Sequence, residues 1–157
     1  MWGAKKEPEI AQVAAEKKVP IILMHNRNNK EYQHLIEDCI TDLEESIDIA
    51  RQAGVKKGDI IIDPGIGFAK TVEDNLQVMR NLEQFQSLDY PLLLGTSRKS
   101  LIGKTLELPV DQRDEATGAT VIYGMMKGAQ IVRVHNVAMT VRMTKMTDLL
   151  LRKGCDY

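Results

Sequence analysis

Short apolar runs alternate with longer stretches of helical periodicity along the chain. Val19–Met24 reads Val-Pro-Ile-Ile-Leu-Met, Asp59–Asp63 reads Asp-Ile-Ile-Ile-Asp, Tyr90–Gly95 reads Tyr-Pro-Leu-Leu-Leu-Gly and Gln130–His135 reads Gln-Ile-Val-Arg-Val-His. Runs this short, bounded by Gly, Pro or Asp, predict buried parallel strands. Ile36, Ile40, Leu43, Ile47 and Ala50 recur at three and four residues, predicting a helix from about Tyr32 to Ala53 that Gly54 ends. Further helices are expected at Glu7–Lys17, Glu73–Gln84 and Asp114–Lys127. A last helix carries Met139, Met143, Met146 and Leu150 on one face, a stripe that reads as core filler.

The order is α-βα-βα-βα-βα, with about four parallel strands alternating with helices. Spacing of this kind fits right-handed βαβ crossovers. A small doubly wound sheet and part of an α/β barrel both fit. A complete eight-stranded barrel needs roughly 250 residues, so a chain of 157 residues holds about half of one.

Composition narrows the chemistry. Net charge is −1 and aromatic content 4%, so neither a nucleic-acid partner nor an anionic membrane surface is expected. No apolar run approaches a membrane span, and a cytoplasmic location is expected. Cys39 and Cys155 have no metal-ligand spacing and read as free thiols, with Cys39 in the core.

In α/β proteins, ligands gather at the C-terminal ends of strands. The first run ends in Met24-His25-Asn26-Arg27, where His25 is either a base or a surface residue bonded to a neighbour. The second ends in Asp63-Pro-Gly-Ile-Gly-Phe-Ala-Lys70. A carboxylate there can accept two hydrogen bonds from an amidine-like heterocycle edge, or merely cap the turn. The third ends in Gly95-Thr-Ser-Arg-Lys-Ser100, two hydroxyls flanking two cations, which suits an anion or a polarised carbonyl. The fourth alternates, placing Ile131, Arg133 and His135 on one face. Arg133 and His135 read as a phosphate or diphosphate clamp, with pairing of Arg133 to an acidic residue as the alternative.

These motifs in order, with Arg133-Val-His135-Asn-Val137 and Met24-His25, resemble the C-terminal half of dihydropteroate synthases, pterin-binding α/β-barrel enzymes. The match runs from Trp2-Gly3 to the terminal helix. The resemblance implies that residues 1–157 are the C-terminal half of a (βα)8 TIM barrel, with Met1 the start of a truncated piece. It implies condensation of a pterin diphosphate with p-aminobenzoate to give dihydropteroate, with catalysis on Lys99, Asp63, Arg133 and His135. Asp63 resembles the anchor of the pterin's amino-pyrimidine edge, Lys99 the contact to its carbonyl and ring nitrogen, and Met24 a pterin-packing residue. Gly67 is implied beside the pterin and, with Phe68, in the p-aminobenzoate wall. Arg98 lies near that wall, Ser100 meets the p-aminobenzoate carboxylate, and Arg133 and His135 form the diphosphate site. Mg²⁺ is the implied cofactor, with its main protein ligand in the N-terminal half and none in this one. A homodimer is expected, as is little activity from this half alone. A pterin-binding domain of a folate-dependent methyltransferase and a non-catalytic half-barrel are the competing readings.

Overall fold

The computed structural model describes residue 5 and residues 7–151; Trp2, Gly3 and Cys155 lie outside the described residues. Ten α-helices and strands follow in order among the described residues: α1 (Glu9–Lys17), β1 (Ile21–Met24), α2 (Leu35–Gln52), β2 (Ile60–Asp63), α3 (Val72–Arg80), β3 (Leu93–Leu94), α4 (Ser100–Leu106), α5 (Asp114–Met126), β4 (Ile131–Val132) and α6 (Val137–Leu150). β1 and β2 pair in parallel with Met24 opposite Asp63. β3 and β4 pair in parallel with Leu94 opposite Val132. A parallel bridge between Ile62 and Leu92 joins the two pairs.

The α/β alternation expected from the sequence is present, but the strands are shorter than their apolar runs. β3 and β4 have two residues each, because the chain leaves the ladder as soon as it reaches the site loops. The stretch 73–84 is not one helix: α3 stops at Arg80, and a tighter 3₁₀ segment, Leu82–Leu88, buries Leu82, Phe85 and Leu88. α4 was not legible in the sequence, since its seven residues give too few turns for a period to show.

Strand parity sorts the side chains. Leu23, Ile60, Ile62, Leu92 and Leu94 are sealed, and they join Cys39, Leu43, Ile47 and Ala50 of α2 with Val78, Leu82 and Phe85 in one core. The opposite face carries Ile22, Met24, Ile61, Asp63 and Ile131; Ile22 there is 45% exposed. α2 ends as its sequence requires, with Gly54 at φ +97°. The methionine stripe of α6 is packed over only half its length. Met146 and Leu150 are 56% and 71% exposed, while Thr140 and Thr147 are the buried residues. Met139 and Met143, half-buried, face Gly118 of α5, where a methyl would sit 2.7 Å from the Met143 sulfur.

Parity also decides His25. It follows Met24 and falls on the Leu23 side, under α2, with a fully buried side chain. Its Nε2 lies 3.0 Å from Asp42 and its Nδ1 2.7 Å from Lys70 Nζ. An ammonium only donates, so Nδ1 accepts and Nε2 carries the proton toward Asp42. Burial, reinforced by the Lys70 charge, pushes His25 down to about 4, against the pull of Asp42.

Two outcomes follow from this packing. Helix propensity alone favours Gly124→Ala, but the new methyl would stand 2.2 Å from Leu94 Cδ2. Overpacking outweighs propensity, and a urea melt should show a net loss of about 1–2 kcal/mol. For His25, the unfolded chain binds a proton between its ordinary 6.5 and about 4 while the native one does not. Stability is therefore held above pH 6.5 and lost as pH falls toward 4, by up to about 3 kcal/mol, in urea melts across that range. His25→Asn should flatten this slope.

Candidate active site

The residues of interest lie where the strands stop. Asp63 ends β2 and is 1% exposed, so its carboxylate needs partners. Oδ1 accepts the Gly65 N–H at 2.8 Å and Oδ2 accepts Arg133 Nη2 at 3.3 Å. Burial raises the pKa of Asp63, while the Gly65 N–H and the charges of Arg133, Lys99 and Lys70 oppose that rise. The alternative weighed for Arg133, pairing with a carboxylate, is therefore realised, and the carboxylate is the candidate pterin anchor itself. Arg133 is not enclosed: its side chain is 54% exposed. Its guanidinium crosses Gly95 so closely that a methyl there would stand 3.0 Å from Nη2.

The turn after Asp63 depends on two glycines. Gly65 (φ +71°) passes so close to β1 that a methyl would lie 2.0 Å from the His25 carbonyl oxygen. Gly67 (φ +83°) is exposed, and a methyl on it would press on the Lys99 stem at 3.1 Å. Lys99 Nζ donates to the Ile66 carbonyl and sits 4.6 Å from the Phe68 ring centroid, a cation–π distance. Burial lowers the pKa of Lys99, while the charge of Asp63 raises it. Lys99, Gly67 and Phe68 thus form one cluster, and Met24 stands beside Asp63 in the strand register.

The third and fourth strand ends meet. Ser97 Oγ accepts the His135 N–H at 3.1 Å and lies 2.8 Å from its Nδ1. Gly95, Ser97, Lys99, Arg133, Val134 and His135 line a cavity of about 150 Å³. A larger cleft, about 780 Å³, lies between the loop after β1 and α2, and of the candidate residues at strand ends Met24 and His25 reach it. It is lined by charges of both signs that largely pair with one another, Arg27 with Asp42 and Asp38 among them.

Two expected residues stand apart. Arg98, in a left-handed backbone conformation (φ +54°), is held bidentate by Asp114 at the start of α5, at 2.7 and 2.9 Å. Its guanidinium acts as a strut between the loop and α5. Ser100 opens α4 and is exposed. Two polar residues given no role in the sequence reading matter here. Asn75, buried on α3, accepts the Gly67 N–H at 2.6 Å and donates to the Thr71 carbonyl. Lys70, 6% exposed, donates beneath the same loop. Lys70 stands within the quoted motif, but nothing in a sequence marks a lysine as buried. Among the described residues, no three His, Cys, Asp or Glu side chains gather as a metal site, and no helix is long and apolar enough to cross a membrane.

The chain is 56% identical over 154 residues to the dihydropteroate synthase of Bacillus subtilis, covering 98% of this chain and 54% of that protein. It is 55% identical to the dihydropteroate synthase of Clostridium beijerinckii, covering 98% and 57%. The crystal structure of a Clostridium difficile dihydropteroate synthase in the presence of pteroic acid superposes with a TM-score of 0.93 at 40% identity, over 96% of this chain and 58% of that one. A Yersinia pestis synthase with a pterine–sulfa conjugate superposes at 0.90 and 33% identity, over 94% and 58%. The chain spans about half the length of the curated relatives it matches. A family profile described as pterin binding enzyme matches residues 1–135, every strand end described above included, and the chain belongs to that family.

Proposed function

We propose that this chain is the C-terminal half of a (βα)8 barrel that acts as a dihydropteroate synthase. The observation that carries the reading is the meeting of Asp63, Lys99 and Arg133 at adjacent strand ends of one sheet face. An anionic acceptor with two cations around it suits a substrate with a hydrogen-bonding heterocycle at one end and a diphosphate at the other. Ligands named with related structures, pteroic acid and a pterine–sulfa conjugate, carry a pterin joined to an aromatic amine and support the same substrates.

In this reading Asp63 accepts hydrogen bonds from the amino-pyrimidine edge of 6-hydroxymethyl-7,8-dihydropterin diphosphate, while Met24 and Gly67 pack against the ring. Lys99 turns from the Ile66 carbonyl to the pterin carbonyl and ring nitrogen. Arg133 and His135, with Ser97, receive the diphosphate. The nitrogen of p-aminobenzoate attacks the exocyclic carbon. The carbon–oxygen bond to the diphosphate breaks, the new carbon–nitrogen bond forms, and the amine loses a proton. Phe68 walls the p-aminobenzoate side and Ser100 meets its carboxylate. Arg98 contributes there by bracing the loop through Asp114. Cations at the diphosphate stabilise the charge that develops on the leaving group, and the pocket holds both reactants in line.

Mg²⁺ belongs to the family expectation. The described residues do not offer it a ligand cluster, so no step here passes through it. A homodimer in the cytoplasm belongs to the same proposal. Support for self-association comes from the apolar surface of α6, where Val137, Met146, Leu149 and Leu150 are exposed.

Asp63→Asn should weaken pterin binding by the value of a charge-assisted hydrogen bond, about 1.5–3 kcal/mol. A titration with 6-hydroxymethylpterin and a urea melt on the same variant decide between ligand anchor and turn cap. Unchanged affinity with a lowered midpoint would leave only the cap. In a full-length barrel carrying this half, Lys99→Ala should cut turnover by roughly 10²-fold with the fold intact. A wild-type rate of p-aminobenzoate incorporation would remove Lys99 from the mechanism.

A further inference from the structure

Lys70 is a residue to which the proposed reaction gives no role. It sits beneath the Gly65–Phe68 turn, 6% exposed, among three acceptors: His25 Nδ1 at 2.7 Å and the carbonyl oxygens of Gly65 and Phe68, each at 3.3 Å. An ammonium has three protons, so all three are used. None of these acceptors is a carboxylate. Burying a charge on neutral acceptors is costly, and an apolar side chain would fill the space at less cost to stability. Burial pushes Lys70 down to about 8, so the charge persists at neutral pH. A side chain that costs this much calls for an explanation beyond packing.

The turn itself supplies one. Lys70 takes the carbonyls of Gly65 and Phe68, and Lys99 takes the carbonyl of Ile66 between them. The Gly67 N–H goes to Asn75, and the Ala69 carbonyl accepts Tyr32 Oη at 2.8 Å. Two lysines therefore grip one short loop, one from beneath and one from the ligand side. If Lys99 turns to a bound pterin, its hold on Ile66 is given up at the moment the loop must keep its shape. Lys70 stays. Its own seat is fixed in turn. His25 accepts from Lys70 at Nδ1, donates to Asp42 of α2 at Nε2, and gives its backbone N–H to the Asp63 carbonyl at 2.9 Å.

We propose that Lys70, seated on His25 and Asp42, is a positioning residue for the pterin site, holding the Gly65–Phe68 backbone so that Asp63 and Phe68 keep their places when Lys99 engages the ligand. The proposal rests on the pterin-site reading under Proposed function. The pairing of buried His25 with half-buried Asp42 serves the same end, because it aims the acceptor on which Lys70 sits. Outer-shell partners of this kind fix a site without touching what binds in it.

Amide hydrogen exchange on this chain, followed residue by residue, tests the brace directly. In Lys70→Met, the Gly67 and Phe68 amides should exchange roughly tenfold faster or more, while those of Leu23 and Ile62 in the core strands keep their wild-type rates. Affinity for 6-hydroxymethylpterin should fall by roughly tenfold in the same variant. His25→Leu should release the loop in the same way. His25→Asn, which keeps an acceptor near the Nδ1 position, should retain it, and this pair decides the matter if Lys70→Met does not fold. Wild-type exchange at Gly67 and Phe68 in Lys70→Met and His25→Leu would overturn the proposal. So would an equal acceleration of every amide, which would mean a loss of global stability alone. A wild-type chain that fails to bind pterin would refute the pterin-site reading, and the exchange rates would still decide whether Lys70 holds the loop.

Discussion

Parallel pairing of β1 with β2 sets Met24 beside Asp63, and the two-residue period of a strand then sends their neighbours to the other face. Everything at the candidate site inherits that choice. Asp63 and Arg133 come to one side of the sheet, where their charges meet at 3.3 Å. His25, one residue past Met24, goes to the other side and closes against α2. A slip of one residue in β2 would send Asp63 into the core and bring Ile62 to the site, and the same slip in β4 would bury Arg133 among leucines. The fully sealed residues Leu23, Ile60, Ile62 and Leu94 oppose such a slip, because each would lose its place in the core.

The same register forces charge into places from which water is largely excluded. Asp63 is 1% exposed and Lys70 6%. Each is tolerable because the backbone of one turn serves both. Gly65 gives its N–H to Asp63 and its carbonyl to Lys70. The turn can do this only with glycine at a positive φ, since a methyl on Gly65 would collide with the His25 carbonyl. Local backbone geometry, the electrostatics of the carboxylate and the packing of β1 against β2 are therefore one problem with one solution. Beyond the turn, Lys99 and Phe68 stack on its outer surface, and Ser97 ties the third strand end to His135 of the fourth.

Much of this was legible from residue order. The alternation of apolar runs and helical stretches identified the α/β class, and Asp63, Lys99, Arg133 and His135 stood at strand ends where ligands gather. Less legible were features that depend on what a side chain meets. Met146 and Leu150 kept helical spacing with Met139 and Met143, yet α6 turns Thr140 and Thr147 inward. A periodic stripe says which residues share a face and does not say what covers it. Arg98 looked like a free cation in a ligand loop, yet Asp114, sixteen residues on, engages two of its guanidinium nitrogens, Nε and Nη2.

The sequence by itself determined the fold class, the strand ends that carry chemistry and the family resemblance, because these depend on local periodicity and on short motifs of fixed spacing. Only the tertiary structure decided which charges meet. Arg133 is seventy residues from Asp63, Ser97 is thirty-eight from His135 and Lys70 is forty-five from His25. Pairs so distant are brought together by strand register and helix packing, which are properties of the whole core and of no single segment. The burial of Lys70 and His25 belongs to that second class. Solvation depends on everything that surrounds a side chain, and in this chain those surroundings come from β1, α2 and the turn after β2 at once.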